Sequence, residues 1–216
     1  MVAQPADVWQ LVAEMGQLVT EAVGAALAAL GAGDVQSAEM VVAADQAIDL
    51  LEERVERICL EVLGAQRHRG AAEGQVRRVA AAFKVVTDLE RIGDHAAAVA
   101  RTTIRMRGER PIPPFLDIER LAALAQALLG DALTALGSGD AAAARDVAAR
   151  DDGVDALYDQ VFRELLTYML DDRSAVRAAT HLLFVASALE RIADHATNLC
   201  EWVIFMDTGR RVELND

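Results

Sequence analysis

The sequence predicts an all-α protein: two tandem, pseudo-symmetric three-helix bundles, with six long helices running up, down and up. Hydrophobic residues make up 53% of its 216 residues, yet aromatic residues make up only 4%, a composition typical of closely packed helices. The string Leu-Glu-Arg-Ile-x-Asp-His occurs at 89–95 and again at 189–195, one hundred positions later. A repeat at that distance indicates two similar halves.

Glycine and aspartate residues mark the helix ends in the first half. The first helix should end at Gly31 and Gly33, and Asp34 is well suited to cap the N-terminus of the second. A polar loop before the third helix contains arginines, a histidine and a glycine. These signals place helices at 5–30, 35–63 and 72–106, with the polar loop at 65–70.

The second half repeats this plan after a proline-rich linker at 107–114, which holds three of the four prolines. Gly137 and Gly139 break the chain, Asp140 caps the next helix, and Gly209 ends the last one. The predicted helices are 115–136, 141–170 and 174–207, with a turn at 171–172.

The two halves align closely at two offsets. Asp45 and Asp49 match Asp151 and Asp155 at an offset of 106, whereas the third and sixth helices align at 100. The first half therefore carries about six extra residues in its second loop. Short connections between long helices favour antiparallel packing of neighbouring helices. Each half is expected to form one domain, with bounds 1–107 and 108–216.

Composition excludes several classes of protein. A formal net charge of −13 and a pI near 4.7 disfavour binding to nucleic acid and to anionic lipid surfaces. Cys59 and Cys200 lie in apolar helical context and are expected to be buried, reduced thiols. The start lacks the pattern of a signal peptide, and the most apolar stretch, 121–136, contains Gln126 and Asp131. We therefore expect a cytoplasmic protein without membrane insertion.

The sixth helix carries a narrow acidic stripe. At 100° per residue, four side chains fall within about 80° of its circumference, roughly opposite the apolar face. The stripe should therefore face outward from the bundle. Like charges four residues apart cost a few tenths of a kcal/mol, so their recurrence suggests a bound cation. The stripe consists of Glu190, Asp194, Asn198 and Glu201.

Acidic residues on the fifth helix should meet this stripe. Asp151 and Asp155 lie about as far before the turn near Asp172 as Glu190 and Asp194 lie after it. In an antiparallel pair of helices, equal distances from the turn mean equal height, and axes 8–10 Å apart let carboxylates share an ion. Mg²⁺, Ca²⁺, Mn²⁺ or iron suit such oxygen ligands, and zinc suits them less. The corresponding first-half residues are Asp45, Asp49, Glu90 and Asp94.

Neighbouring side chains leave alternatives open. His95 and His195 lie further round their helices, which favours packing or supporting contacts over direct metal ligation. Arg91 and Arg191 are expected to point away without neutralising the clusters. A solvated acidic face that binds nothing is the alternative interpretation of the carboxylates.

The repeated segments resemble the signature helices of the PhoU family; they are 88–95 and 188–198, the latter followed by Glu201. The resemblance covers nearly the whole chain. It implies a non-enzymatic cytoplasmic adaptor, usually dimeric, that joins the ATPase subunit of the phosphate ABC transporter to a sensor histidine kinase and keeps the phosphate-starvation response off. It further implies metal bound by the paired acidic motifs, often as iron or zinc clusters, with Mg²⁺ or Mn²⁺ also plausible.

The first half departs from that pattern. Ala98 and Arg101 stand where the second half has Asn198 and Glu201, and Arg101 would oppose a cation. The first-half site is therefore expected to be weaker or empty.

Two other classes of function compete with the adaptor. A ferritin-like di-metal oxidase needs Glu-x-x-His pairs that point into the bundle core; the histidines here are preceded by Ala or Ile at that spacing. A purely structural acidic bundle would bind no metal, which elemental analysis would show.

Overall fold

The computed structural model of the chain describes residues 5–66, 73–109 and 116–214, and within these ranges the regular structure is entirely helical. The predicted polar loop and proline-rich linker lie largely outside the described residues. The elements are α1 (Pro5–Ala32), α2 (Val35–Gln66), α3 (Glu73–Arg105), α4 (Leu116–Ser138), α5 (Ala141–Ala148), α6 (Asp151–Asp171), a 3₁₀ turn (Arg173–Ala175) and α7 (Val176–Thr208).

The predicted fold class is confirmed, with one difference in the second half. The helix predicted over 141–170 is divided into α5 and α6 at Ala149 and Arg150. There the Arg150 N–H donates to Val147, three residues back, and the Arg150 guanidinium bonds Asp131 on α4 at 2.7 Å. The break puts Asp151 in the first turn of α6, where the helix dipole favours a negative charge.

The two halves share one core. Helix α3 packs on α1 and α2, α7 packs on α4, α5 and α6, and α3 and α7 pack against each other at the centre. Leu89 and Ile92 on α3 and Leu189 and Ile192 on α7 are fully buried. The repeated string thus provides the central apolar contacts as well as the acidic residues. The domain boundary after residue 107 stays a prediction.

The turns that start the second helix of each half are built alike. Gly33 and Gly139 have φ of +62° and +68°, a conformation that side chains with a Cβ rarely adopt. The carboxylates of Asp34 and Asp140 then accept two backbone N–H groups each, as predicted for N-caps.

Two helices, Asp7–Ala32 and Asp117–Ser138, are long and apolar enough to cross a membrane by length and composition alone. In the structure these segments, α1 and α4, pack on α3 and α7 and against each other. Burial in the shared core is therefore a sufficient explanation for their apolar faces.

Candidate metal centre

Three carboxylates converge between α6 and α7. Asp155, Glu190 and Asp194 each offer one oxygen, and these oxygens all lie within 4.8 Å of one another. Glu190 and Asp194 are one turn apart on α7, and Asp155 comes from the antiparallel neighbour at the same height. The level arrangement inferred from the turn near Asp172 is thus present. We call these three residues the acidic trio.

Asp151 lies beside the trio and is almost entirely buried, with 6% of its surface exposed. Its Oδ1 atom makes no hydrogen bond of good geometry with the described residues, although the Thr197 hydroxyl lies close enough to lower the Asp151 pKa. Burial, together with the carboxylates of Asp155 and Asp194, raises the pKa of Asp151 to about 6. An unsatisfied buried carboxylate oxygen is costly unless a cation or donor reaches it.

The pKa values of the trio itself are also raised. For Asp155, Glu190 and Asp194 the main cause is partial burial, and neighbouring carboxylates add to it. These raised pKa values mean that the charged carboxylates are unfavourable next to one another. A bound cation would remove that penalty and stabilise them in the charged form.

Arg191 does not point away from the cluster, so that prediction is wrong. Its Nη1 lies 3.2 Å from Asp194 Oδ2, and its Nε lies 3.5 Å from Glu190 Oε2. The long side chain folds along the helix to reach a residue three positions on. Since it is 58% exposed, the pairing contributes at most about 1 kcal/mol, and the pKa values of both carboxylates stay raised.

In the first half the corresponding carboxylates are arranged less favourably. Burial, together with Asp94 and Asp49, raises the pKa of Asp45. Arg101 Nη1 lies 3.9 Å from Asp45 Oδ2, as expected for a residue that opposes a cation.

Arg91 also contacts its neighbours, which corrects the prediction for this arginine too. It lies 3.4 Å from Glu90 and 3.3 Å from Asp94. No first-half group of described residues meets the spacing of the trio.

Glu52 is a first-half residue that the sequence interpretation missed. Burial raises its pKa, and its charge in turn contributes to the raised pKa of Glu90 on the adjacent helix α3. The signal was present in the sequence: Asp45, Asp49 and Glu52 follow one another at intervals of four and three on a single face of α2.

The structure does not bring Asn198 and Glu201 into the trio. The Asn198 amide donates to Asp88 Oδ1 at 3.0 Å, and Glu201, 6% exposed, accepts the Leu214 backbone N–H at 2.7 Å. From Glu190 to Glu201 the stripe spans about 16 Å of helix, which is too long for one ion. These two side chains attach α7 to α3 and to the C-terminal segment instead.

Asp88 on α3 is the centre of a polar network that the sequence interpretation did not identify. Its Oδ1 lies 2.9 Å from His195 Nδ1, and its Oδ2 accepts the Trp202 indole N–H at 2.9 Å, in addition to the Asn198 bond. His95 and His195 stack with ring centres 5.7 Å apart. The histidines therefore have the packing role that was expected.

The donor set of the second half fits a hard cation. Two oxygens on opposite sides of an ion are separated by twice the metal–oxygen distance of about 2.1–2.4 Å, so the spacing of the trio lets all three reach one ion. Asp151 adds a buried oxygen that lacks a partner. Carboxylate oxygens favour Mg²⁺, Mn²⁺, Ca²⁺ or iron.

In metal-free protein, Asp151→Asn should increase stability by an amount that grows with pH. The folded protein keeps the Asp151 proton up to about pH 6, whereas the unfolded chain releases it near pH 4. The folded state is therefore not penalised by Asp151 below about pH 4, where the carboxyl is protonated in both states. The free energy of unfolding then falls as the pH rises from about 4 through about 6. Asparagine cannot ionise, so the gain in the free energy of unfolding should approach about 3 kcal/mol at neutral pH.

Urea unfolding of both proteins in chelator, at several pH values, would measure this difference. The matched control is Asp152→Asn, an exposed aspartate in the same turn of α6. A stability difference for Asp151→Asn that does not change with pH would contradict the assignment.

The chain matches the PhoU domain twice, over residues 12–103 and 118–203, once in each half. It is 35% identical to a phosphate-specific transport system accessory protein PhoU homolog of Clostridium acetobutylicum, with 94% of this chain and 91% of the relative covered. A homolog of the same name from Aquifex aeolicus is 37% identical, with 94% and 90% covered.

Two solved structures have the same fold over almost their full length. The phosphate transport system regulatory protein PhoU from Streptococcus pneumoniae gives a TM-score of 0.89 at 27% identity, with 97% of each chain covered. PhoU from Pseudomonas aeruginosa also gives 0.89, at 34% identity, with 95% of this chain and 97% of that one covered. With both halves matched and full-length relatives above 30% identity, the chain belongs to the PhoU family.

Proposed function

We propose that this protein is a cytoplasmic, metal-binding adaptor that negatively regulates phosphate uptake and the phosphate-starvation response. Its relatives are named as accessory proteins of phosphate-specific transport systems, and that match, which extends over both halves, carries the proposal. An accessory role in phosphate transport follows from it. The adaptor would link the ATPase subunit of the phosphate ABC transporter to a sensor histidine kinase, and would act as a homodimer.

The metal centre is part of this proposal. The acidic trio with Asp151 would hold the ion of the second half, and Asp45, Asp49, Glu90 and Asp94 would form a weaker first-half site. Iron or zinc clusters, Mg²⁺ and Mn²⁺ are the candidates. An ion here would join α6 to α7 and remove the repulsion among their carboxylates, which would fix the shape of a docking face.

An oxidase is the less favoured alternative. Ferritin-like di-metal sites place Glu-x-x-His ligands in the bundle core. Here Asp155 is exposed, and His195, which follows Asp194 in the sequence, is directed to Asp88. A non-enzymatic role is therefore the better supported one, and a ferroxidase or peroxidase assay on iron-loaded protein tests it directly.

Binding to purified partners tests the adaptor role. Immobilised protein, loaded with metal, should bind the transporter ATPase subunit and the cytoplasmic part of the histidine kinase with dissociation constants of about 10 μM or tighter. The comparison variant carries Glu190→Gln and Asp194→Asn and is treated with the same metal; it should bind the partners more weakly if metal in the second half shapes the docking face. Absence of measurable association with both partners would contradict the proposal.

A further inference from the structure

A basic cleft lies at the end of the molecule where α3 finishes and α7 begins. Its volume is about 410 Å³, and it is lined by Arg105, Arg177, Thr180 and His181. Three of these residues share one face of α7, at intervals of three and four, and Arg105 reaches them from the last turn of α3. In a protein with a net charge of −13, such a cluster of cationic and polar side chains is unexpected.

We propose that this cleft binds a phosphoryl oxyanion. Two guanidinium groups come from different helices, so they can hold a tetrahedral group from two directions with paired hydrogen bonds. The His181 imidazole adds a donor on the α7 side. The Thr180 hydroxyl donates to the Val176 carbonyl at 2.7 Å, so it contributes an acceptor and polar surface to the cleft. A planar carboxylate has only two oxygens for these donors, whereas a phosphoryl group has at least three.

His181 supplies independent support for a ligand. Both of its ring nitrogens are buried, and neither has a hydrogen-bond partner among the described residues. An imidazole without partners loses the hydrogen bonds that it would make in water, which destabilises the folded protein. A bound oxyanion in the cleft would satisfy one of these nitrogens.

The acidic group that faces the cleft is Glu109. Its Oε1 lies 2.9 Å from Arg177 Nε, and Arg177 is 74% exposed. The Glu109 side chain is 21% exposed, but water reaches the arginine and screens the pair, so the attraction is weak. A doubly charged phosphoryl group can therefore displace Glu109 or share Arg177 with it, and Glu109 acts as a competitor that lowers the affinity.

The cleft is not a by-product of the internal duplication. At the opposite end of the α3–α7 pair, the equivalent arginine, Arg77, lies against Gly209 and pairs with Glu73 at 3.1 Å. The other three cleft residues are replaced there by apolar ones. At an offset of 100, these are Phe205 for Arg105, Ala80 for Thr180 and Ala81 for His181.

The cleft is also separate from the candidate metal centre. Thr180 precedes Glu190 by ten residues, or about 15 Å along α7. Binding of phosphate through a metal ion can therefore be excluded experimentally by removing the metal, and this site does not depend on the proposed adaptor role.

Isothermal titration of chelator-treated protein with inorganic phosphate, and separately with phenyl phosphate, tests the proposal. Arg105→Gln and Arg177→Gln should each weaken binding about tenfold, and Glu109→Gln should strengthen it about threefold. The matched control is Arg120→Gln, which removes another exposed arginine from an ion pair, here with Asp117 at 2.7 Å. Its affinity should equal that of the unchanged protein.

The two probes distinguish the sources of the phosphoryl group. Binding of inorganic phosphate indicates a sensor of the free ion, whereas binding of phenyl phosphate alone indicates recognition of a phosphorylated molecule, and either supports the site. Absence of saturable binding of both probes up to about 10 mM, or equal affinities in all four variants, overturns it.

Discussion

Replacing Asp88 by alanine should destabilise the protein by about 3–5 kcal/mol. The substitution removes the one acceptor shared by His195, Asn198 and Trp202, which are partly buried where α3 meets α7. Each donor left without a partner costs about 1–3 kcal/mol, and the costs are not fully additive because the groups belong to one network. Equilibrium unfolding in urea would measure the loss.

Two variants make this result interpretable. Asp88→Asn keeps the side-chain shape and one acceptor oxygen, so it should lose about half as much stability as alanine. Glu73→Ala removes another α3 carboxylate, 90% exposed and paired with Arg77, and should cost less than about 1 kcal/mol. Equal losses for Asp88→Ala and Glu73→Ala would show that the network does not join the two halves.

Replacing both Glu190 and Asp194 by their amides should abolish metal binding in the second half. The change leaves Asp155 as the last carboxylate of the trio, with Asp151 beside it on the same helix. Two carboxylates from one helix are too few oxygen ligands to hold a divalent ion against water. The same double variant should be more stable than the unchanged protein when both are metal-free, because it removes mutual repulsion of carboxylates whose pKa values are raised.

Elemental analysis of protein purified without chelator or nickel resin gives the metal content, and urea unfolding gives the stability. The matched control is the same pair of changes in the first half, Glu90→Gln with Asp94→Asn. That control should leave the more tightly bound metal in place, since Arg101 weakens the first-half site. Full metal content in the second-half variant would refute the proposed ligands.

Much of this architecture could be predicted from local patterns. The helix ends at Gly33 and Gly139 and the caps at Asp34 and Asp140 follow from backbone geometry and from hydrogen bonds within a few residues. The equal height of Asp155 and Glu190 along their helices could be predicted from the helical rise per residue and the position of one turn. These features depend on short stretches of chain, and therefore the sequence predicts them.

The assignment of side chains to partners could not be predicted in the same way. Asn198 lies on the acidic stripe by periodicity, but Asp88, 110 positions earlier, binds it. Glu201 likewise binds the C-terminal segment, and Arg191 folds back onto the trio. Helical periodicity fixes the direction of a side chain to within a face, whereas its partner depends on which helix packs there.

The sequence by itself determined the two-fold repeat, the long helices and the level carboxylates of α6 and α7. The packing of α3 against α7 decided the polar network at Asp88, the pairing of Asn198 with Asp88, and the basic cleft between Arg105 and Arg177. The return of the C-terminal segment onto α7 decided the partner of Glu201. Contacts between residues so distant in the chain are set by how the apolar faces of the helices fit together. That fit, unlike the helical period, cannot be inferred from any one segment.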